Sequence, residues 1–297
     1  MVPYPFIAVD WGSTNRRVYL IDKHGGILAQ RQDNRGLAAI ASGGFPAEAA
    51  QIRRDFGDYP MLCAGMVGSA RGWAVAPYVP CPAGLADLSA QLLWVEGRRT
   101  AIVAGLSDAG FDVMRGEEVQ FLGAVTSGLA PPDGLICQPG THCKWARMVG
   151  GKVAGFHTSM TGELFALLKN HSLIGEFIQA DVRDGPAFQE GVQAGLSGGI
   201  LGKLFGIRAA NLLGMRHAPD SAAPDSAAYA SGLLIGTDVG EQHLSAGEKI
   251  TVMADPHLGA LYEQAITLSG ASACAISSGA SFVAGIGEIW QIAANLT

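Results

Sequence analysis

The sequence IAVDWGSTNR, residues 7–16, decides the fold. An apolar strand runs into Asp10, and a short polar turn leads at once into a second strand. Glycine lets the backbone of such a turn approach an anion closely, and its successive amide groups form an anion-binding nest. We expect Asp10 to hold Mg²⁺ directly or through water; the alternative is an ordinary hairpin turn with a structural aspartate. The residues expected to bind phosphate are Gly12, Ser13, Thr14 and Asn15.

A matching element, ICQPGTHCKW, occupies residues 136–145. Again an apolar strand runs into a Gly-Thr turn, and another strand follows. A pair of such turns is much more specific for a nucleotide triphosphate than either alone. The expected phosphate contacts are Gly140, Thr141 and His142. Lys144 adds charge to the phosphates or is a surface lysine beside the turn.

The order of strands and helices after each turn is similar, which predicts an α/β protein of two related lobes, each a mixed sheet flanked by helices. The 297 residues suffice for two cores. We place the N-terminal lobe at residues 1–126 and the C-terminal lobe at 127–297, and expect the last helix, 282–297, to pack back on the first lobe. The predicted strands include Phe6–Trp11, Arg17–Asp22, Pro60–Met66, Thr100–Leu106 and Lys249–Ala254.

The segment Met114–Gly123 joins a strand to a helix predicted at Glu117–Val125. Acidic residues are favoured in a first helical turn by the helix dipole alone. A carboxylate there can instead accept the proton of a hydroxyl that attacks phosphorus. The sequence leaves these interpretations equally weighted, and it does not choose between Glu117 and Glu118 as the base.

Two further segments are rich in groups that bind small organic molecules. The loop Gly65–Trp73 follows an apolar strand, where ligands often bind in α/β proteins. In it Ser69 can bond a hydroxyl and Arg71 a carboxylate; the alternative is a rigid loop in which Trp73 merely packs. Thr161 opens a helix, either as its cap or as a polar contact to substrate.

Composition excludes several classes of protein. The net charge is −6, and basic residues occur only in isolated pairs, so we expect no nucleic-acid partner. No apolar stretch approaches the ~20 residues that span a bilayer, and the N-terminus lacks the features of a signal peptide. Five scattered cysteines are typical of reduced thiols in a cytoplasmic protein. A homodimer is expected from base rates only.

The paired turns resemble the two phosphate motifs of the actin, hexokinase and Hsp70 superfamily. Within it, the chain resembles the 2-dehydro-3-deoxygalactonokinase family, and the matches run in order along nearly the whole sequence. They comprise Asp10–Arg16, Gly65–Trp73 with Pro77–Pro82, Arg115–Gly123, Pro139–Trp145, Met160–Leu168, Ser231–Gly236 and Leu258–Leu268.

The resemblance implies two ribonuclease-H-like lobes with the site in the cleft between them. It implies that MgATP phosphorylates 2-dehydro-3-deoxy-D-galactonate at its 6-hydroxyl, within galactonate breakdown. By position, the adenosine contacts would be Ala254, Asp255 and Pro256, although two glycines usually stand there. Gln138 or Pro139 likewise stands where the superfamily usually carries Asp. The substrate is an anion, and the arginines expected to meet it are Arg16, Arg71 and Arg115.

Three alternatives remain at this point. In an exopolyphosphatase-like phosphohydrolase, water would replace the sugar hydroxyl; Gly65–Trp73 and Met160–Glu163 argue for a small organic substrate instead. A non-catalytic sensor would tend to lose the acidic residues, which are all present here. A kinase of the gluconate epimer differs by one stereocentre, and the hydrogen bonds that discriminate the epimers are invisible in sequence.

Overall fold

A computed structural model of the chain describes residues 4–215 and 225–295. Within them, unit 1 comprises residues 4–133, 146–156 and 277–295, and unit 2 comprises residues 134–145, 157–215 and 225–276. The predicted domain division after residue 126 stays a prediction. Every helix in the described ranges is too short or too polar to cross a membrane.

The elements are numbered in chain order. The strands are β1 Phe6–Trp11, β2 Arg16–Ile21, β3 Ile27–Asp33, β4 Met61–Gly65, β5 Tyr78–Pro80, β6 Leu93–Val95, β7 Thr100–Ile102, β8 Gly105–Asp108, β9 Asp112–Met114, β10 Gly134–Gln138, β11 Cys143–Val149, β12 Lys152–Ser159, β13 Lys249–Met253 and β14 Ser272–Ile276. The helices are α1 Phe45–Phe56, α2 Leu85–Ala90, α3 Glu117–Thr126, α4 Thr161–His171, α5 Pro186–Leu196, α6 Ile200–Leu212, α7 Ser226–Gly240, α8 Pro256–Leu268 and α9 Ser278–Asn295.

Both large sheets are mixed and share one strand plan. The first has the order β3-β2-β1-β4-β7-β6, and the second β12-β11-β10-β13-β14. In the first, β1 is antiparallel to β2 and parallel to β4. In the second, β10, β13 and β14 run parallel. The predicted α/β fold with two mixed sheets is confirmed, and so is the repetition of its pattern.

One strand prediction is wrong. The apolar run Thr100–Leu106 forms two strands in two different sheets. Its first half, β7, pairs with β4 in the large sheet. Its second half, β8, pairs with β5 and β9 in a small three-stranded sheet. A continuous apolar run predicts burial equally for one strand or for two, so periodicity does not reveal the break.

Helix α3 is held against α9 by backbone-to-backbone packing inside unit 1. A Cβ atom added at Gly123 would lie 2.0 Å from the carbonyl oxygen of Ser281, and one added at Gly285 would lie 2.1 Å from that of Val119. No side chain fits at either glycine, because real Cβ atoms do not approach so closely. The start of α3, with its two glutamates, is therefore on a rigid support.

Helices α5 and α7 cross in unit 2 with the same close approach. Cβ atoms added at the four glycines of the crossing would lie 2.2–2.4 Å from carbonyl oxygens of the facing helix. These glycines are Gly191, Gly195, Gly232 and Gly236. The crossing fixes α7, which carries pocket and polar residues described below, against its neighbour.

Each unit has its own apolar core. The unit 1 cluster includes Trp11, Phe45 and Ile52, all buried. The unit 2 cluster includes Trp145 and Phe188. Each unit therefore buries apolar side chains of its own, as expected for a chain of this length.

Candidate active site

Asp10 lies on β1 and its carboxylate is buried, with 9% of the residue exposed. Its Oδ2 accepts hydrogen bonds from Arg17 Nε at 3.1 Å and Nη2 at 2.6 Å. Arg17 Nη1 also donates to Ser278 Oγ at 3.2 Å. Burial raises the pKa of Asp10, while the Arg17 guanidinium opposes that rise. Among the described residues, Oδ1 of Asp10 forms no hydrogen bond, so one oxygen remains for a further ligand.

The turn Gly12–Asn15 is held from behind by the segment Gly36–Ala38. The carbonyls of Gly12, Ser13 and Thr14 accept hydrogen bonds from the amides of that segment at 2.9–3.0 Å. The amides of Ser13 and Thr14 donate to no group in the described part of the chain, and both residues are exposed. A turn whose carbonyls are bound from behind and whose amides remain available is a nest for an anion.

The start of α3 is brought to the carboxyl ends of β1 and β4 by two glycines. Trp11 pairs with Gly65 across the parallel strands, and a Cβ at Gly65 would lie 2.7 Å from the Trp11 carbonyl oxygen. A Cβ at Gly116 would lie 3.0 Å from the Gly65 Cα. Both glycines have positive φ, +96° and +110°, which side-chain-bearing residues rarely adopt. Asp10 and the two glutamates therefore lie at the same edge of the sheet.

Glu117 and Glu118 differ in their surroundings. Glu117 is partly exposed, and its Oε2 accepts from the Arg115 amide at 3.1 Å. Glu118 is fully buried; its Oε2 accepts from the Gly116 amide at 2.7 Å, and its Oε1 has no partner. Burial, with a smaller contribution from the neighbouring Glu117, raises the pKa of Glu118 to about 8. At neutral pH Glu118 is therefore mostly a protonated acid.

The raised pKa of Glu118 predicts a pH-dependent stability. Between the ordinary glutamate pKa and about 8, the folded state holds a proton that the unfolded state has lost, so wild-type stability falls as pH rises through this range. The variant Glu118→Gln lacks this loss. We expect its melting temperature, relative to wild type, to rise from pH 5 to pH 8 and then to level off.

Thermal unfolding monitored by circular dichroism across this pH range measures the difference. Glu241→Gln, at an exposed position after α7, controls for the loss of one carboxyl group. A difference between Glu118→Gln and wild type that is the same at pH 5 and pH 8 would contradict the raised pKa.

Arg115 is a buried guanidinium, 8% exposed, whose hydrogen bonds all go to backbone. Its Nη2 donates to the carbonyls of Ala76 at 2.8 Å and Pro77 at 3.5 Å, and its Cζ lies 4.3 Å over the Tyr78 ring. Its Nε and Nη1 have no partner, and no carboxylate in the described ranges pairs with it. A buried guanidinium without an ion-pair partner is costly to the fold and points to an anionic ligand.

The Arg115 side chain lies against the loop that follows β4. A Cβ at Gly68 would lie 2.8 Å from Arg115 Nη1. The next residue, Ser69, has a buried hydroxyl without a partner. The structure thus brings together two of the predicted substrate residues, both with unused hydrogen-bonding capacity.

The other predicted substrate residues of unit 1 are placed differently. Arg16 is 2% exposed, pairs with Asp33 at 2.8 Å and Glu48 at 2.9 Å, and lies 5.0 Å from the Trp11 ring. The positive charge of Arg16 is therefore compensated by these two carboxylates. Trp73 stacks on Phe45 in the unit 1 core. Arg71 is exposed.

In unit 2, the turn between β10 and β11 rests on the first residues of α4. A Cβ at Gly162 would lie 2.4 Å from the Gly140 carbonyl oxygen, and the Glu163 amide donates to the Thr141 carbonyl at 2.9 Å. His142 Nε2 lies 2.6 Å from Glu163 Oε2. The start of α4 therefore sets the conformation of this turn.

Lys144 is buried, 6% exposed, on β11. Its Nζ donates to Thr158 Oγ1 at 2.6 Å, on the neighbouring strand β12. The structure shows a lysine that contacts its own sheet, and a phosphate contact by Lys144 stays a prediction.

Thr161 does not cap α4, so that prediction is wrong: the N-cap residue is Met160. The Thr161 hydroxyl instead donates to Asp238 Oδ2 at 2.9 Å. Asp238, 3% exposed, also accepts from Trp145 Nε1 at 2.9 Å and from the Tyr262 hydroxyl at 2.6 Å. Burial raises the pKa of Tyr262 well above its ordinary value, so the Tyr262 hydroxyl keeps the proton that it donates.

A mainly apolar pocket of about 200 Å³ opens in unit 2 beside this turn. It is lined by Gly140, Thr161, Gly162, Phe165, Val182, Ser231, Leu234, Ile235, His257, Leu258, Leu261 and Tyr262. The predicted adenosine segment lies next to it along the chain. Asp255 caps α8 by accepting from the Leu258 amide at 3.1 Å, and Pro256 is the first residue of that helix. Ala254, Asp255 and Pro256 do not themselves line the pocket.

Sequence comparison decides the family. The family model described as 2-keto-3-deoxy-galactonokinase matches residues 10–289. The chain belongs to the 2-keto-3-deoxy-galactonokinase family. A curated relative, the 2-dehydro-3-deoxygalactonokinase of Escherichia coli strain K12, is 38% identical over 298 residues, which cover 98% of this chain and 99% of that protein. The predicted family and its kinase class are confirmed.

Solved structures agree with this family assignment. A crystal structure from Sinorhizobium meliloti, described under the name 2-dehydro-3-deoxygalactonokinase, has 31% identity and a TM-score of 0.87, covering 96% of this chain and 97% of that chain. The activator of 2-hydroxyisocaproyl-CoA dehydratase from Clostridium difficile, solved with ADPNP, has 8% identity and a TM-score of 0.52 over 98% and 96% of the two chains. The second likeness shows the actin-like ATPase fold alone.

Sequence reasoning missed two polar residues of this family member. Arg17, which the sequence analysis did not select, faces Asp10. A four-residue turn that pairs Trp11 with Arg16 necessarily pairs Asp10 with Arg17. That signal was available. Asp238 was also missed, although an aspartate inside the apolar, glycine-rich α7 is itself unusual.

Proposed function

We propose that this kinase transfers the γ-phosphoryl group of ATP to the 6-hydroxyl of 2-dehydro-3-deoxy-D-galactonate. The observation that carries the proposal is the buried Arg115 guanidinium, which lacks a carboxylate partner and lies two residues before the candidate base. A sugar acid supplies the missing negative charge, and its hydroxyl supplies the group to be phosphorylated. The name of the Escherichia coli relative gives the same substrate.

Substrate binding is assigned to Arg115 and Ser69. Arg115 Nε and Nη1 can donate charge-assisted hydrogen bonds to the carboxylate of the sugar acid, which are about twice as strong as neutral ones. The buried Ser69 hydroxyl can bond a sugar hydroxyl. Since Arg16 is fully paired with Asp33 and Glu48, we assign it to holding the hairpin and not to the substrate.

We assign Glu117 as the general base that accepts the proton of the attacking hydroxyl. A general base must be ionised and within reach of the proton that it takes. Glu117 is partly exposed, whereas Glu118 is buried and, with its pKa raised to about 8, mostly protonated at neutral pH. Glu118 then acts as a neutral neighbour that supports the start of α3.

ATP is assigned to the polar turns and to the unit 2 pocket. The available amides of Ser13 and Thr14 suit phosphate oxygens, as does the Gly140–His142 turn. The apolar pocket beside Gly140 suits a purine base, because aromatic ligands bury their faces in such pockets and need few polar contacts. His257 and Leu258, directly after the predicted adenosine segment, contribute its wall.

The donor set at the end of β1 fits Mg²⁺. Oδ1 of Asp10 is free of hydrogen bonds among the described residues and is an oxygen ligand of the kind that Mg²⁺ prefers; the ion usually keeps several waters. Asp10 would hold the ion directly or through water, and the ion would neutralise charge on the phosphates. Arg17 keeps the carboxylate oriented on its other oxygen.

A coupled ADP-release assay tests the reaction. We expect ADP release from MgATP to depend on 2-dehydro-3-deoxy-D-galactonate, and the product to carry phosphate at position 6 by NMR. The gluconate epimer is the matched comparison, since it differs at one stereocentre. ADP release that is indifferent to either sugar acid would favour phosphohydrolysis and sink the proposal.

The pocket assignment predicts a selective loss of nucleotide affinity. Ser231→Phe places a ring in the pocket from α7. We expect the dissociation constant for ATP, measured by calorimetry, to rise about tenfold or more, equivalent to ~1.4 kcal/mol, while the KM for the sugar acid stays unchanged. Leu201→Phe, at an 82% exposed position on α6, is the control. Equal ATP affinity in both variants would place the nucleotide elsewhere.

A further inference from the structure

The buried carboxylate of Asp238 connects three elements of unit 2. From α7, it accepts from Trp145 on β11, from Thr161 at the start of α4, and from Tyr262 on α8. The close glycine crossing of α5 and α7 holds its own helix in place. Because the side chain is only 3% exposed and already accepts from three donors, it is shielded from a ligand, so any role in the reaction must act through those partners.

Two of the three partners flank the Gly-Thr turn of unit 2. Trp145 lies on β11, the strand that follows the turn. Thr161 directly precedes Gly162, whose backbone packs closely against the Gly140 carbonyl oxygen. Fixing Thr161 fixes the backbone that contacts the Gly140 carbonyl and the amide that donates to Thr141. Asp238 therefore holds in place the two elements that adjoin the turn, β11 and the start of α4.

The same hydrogen bonds also shape the pocket. Thr161 and Tyr262 line it, yet both hydroxyls donate to Asp238 Oδ2. Each hydroxyl is therefore satisfied by Asp238 and does not need a polar partner in the pocket, so the pocket wall stays mainly apolar. Without an acceptor at this place, two buried hydroxyls would need other partners, and a buried polar group left without one destabilises the fold.

We propose that Asp238 is a positioning residue for the nucleotide: it fixes the Gly140–His142 turn and the apolar wall of the pocket, without touching the ligand. This inference rests on the nucleotide placement proposed above. A carboxylate suits the task because it only accepts hydrogen bonds and so serves three donors, whereas an amide would turn an NH₂ group toward at least one of them.

Steady-state kinetics of Asp238→Asn tests the proposal. We expect the KM for ATP to rise about tenfold or more, as for other residues that orient a binding group, while the KM for the sugar acid stays unchanged. Thr161→Val, which keeps the side-chain shape and removes the hydroxyl, should show part of the same ATP-specific loss. The double variant should lose less than the two single losses combined, because both remove one network.

Ser226→Ala is the matched control. It removes a partly buried hydrogen bond that Asn211 donates to the buried Ser226, at the far end of the same helix from Asp238. We expect a lower melting temperature and an unchanged KM for ATP. This separates a loss of stability from a loss of nucleotide positioning, and assays run below the melting temperature of each variant keep the two apart.

The outcomes distinguish this inference from the proposed nucleotide site. If Ser231→Phe weakens ATP binding but Asp238→Asn and Thr161→Val leave the KM for ATP unchanged, the role of Asp238 alone is overturned. If Ser231→Phe has no effect, the pocket assignment fails and the inference fails with it. If Asp238→Asn does not fold, Thr161→Val decides. Equal changes in both KM values would indicate a merely structural role and overturn the proposal.

Discussion

Replacing Glu117 by glutamine is expected to lower kcat by about 10²- to 10⁴-fold at pH 7, the usual contribution of a general base. The KM values for ATP and for the sugar acid should change little, since the substitution keeps the shape of the side chain. Glu118→Gln should cost far less at this pH. Glutamine resembles a protonated glutamate, and the pKa of Glu118, raised by burial to about 8, keeps it mostly protonated.

The pH dependence of kcat separates the two glutamates further. If Glu118 were the base, wild-type kcat would rise with pH as its carboxyl ionises near pH 8, and Glu118→Gln would be inactive throughout. With Glu117 as the base, Glu118→Gln stays active at pH 7. The measurement is kcat for wild type and both variants from pH 6 to pH 9, with sugar acid and ATP saturating. A severe loss in Glu118→Gln and a mild one in Glu117→Gln would reverse our assignment.

Local geometry was the part of the site that sequence could predict. A strand, a four-residue Gly-Thr turn and a second strand fix the register of a hairpin, and the structure has β1 and β2 within one residue of the predicted bounds. The same register puts Arg17 opposite Asp10. Glycine at residues 65 and 116 also follows from a need for close backbone approach, although the partner at each position could not be named in advance.

Charge pairing was the part that sequence could not predict. Arg16 and Arg115 looked equivalent as candidates for an anionic substrate. The first pairs with Asp33 and Glu48, 17 and 32 positions away, whereas the second donates its hydrogen bonds only to carbonyl groups and lies over the Tyr78 ring. Asp238 gathers partners from 24 to 93 positions away. Such pairings depend on how sheets and helices pack. Only the structure therefore distinguishes Arg115, which has no carboxylate partner among the described residues, from Arg16, which has two.

Arg115→Met is expected to lower kcat/KM for the sugar acid by roughly 30- to 5,000-fold, which corresponds to about 2–5 kcal/mol for one partner of a buried charge pair. The dissociation constant for ATP should not change. Arg115→Lys keeps the charge but not the planar guanidinium over Tyr78, and should recover only part of the loss. Arg54→Met, at an exposed position on α1, controls for the loss of one positive charge.

The same substitution should leave the ligand-free protein as stable as wild type, or more stable. In the absence of substrate, the Arg115 charge is buried with two unused donor atoms, and removing such a charge relieves a desolvation cost that offsets the lost hydrogen bond to Ala76. Sugar acid should raise the melting temperature of wild type and not that of Arg115→Met, because only a bound ligand shifts the folding equilibrium. A strongly destabilised variant that still responds to the sugar acid would mean that Arg115 serves the fold. Stability retained with the substrate response lost would mean that the fold bears an unpaired charge because the substrate requires it.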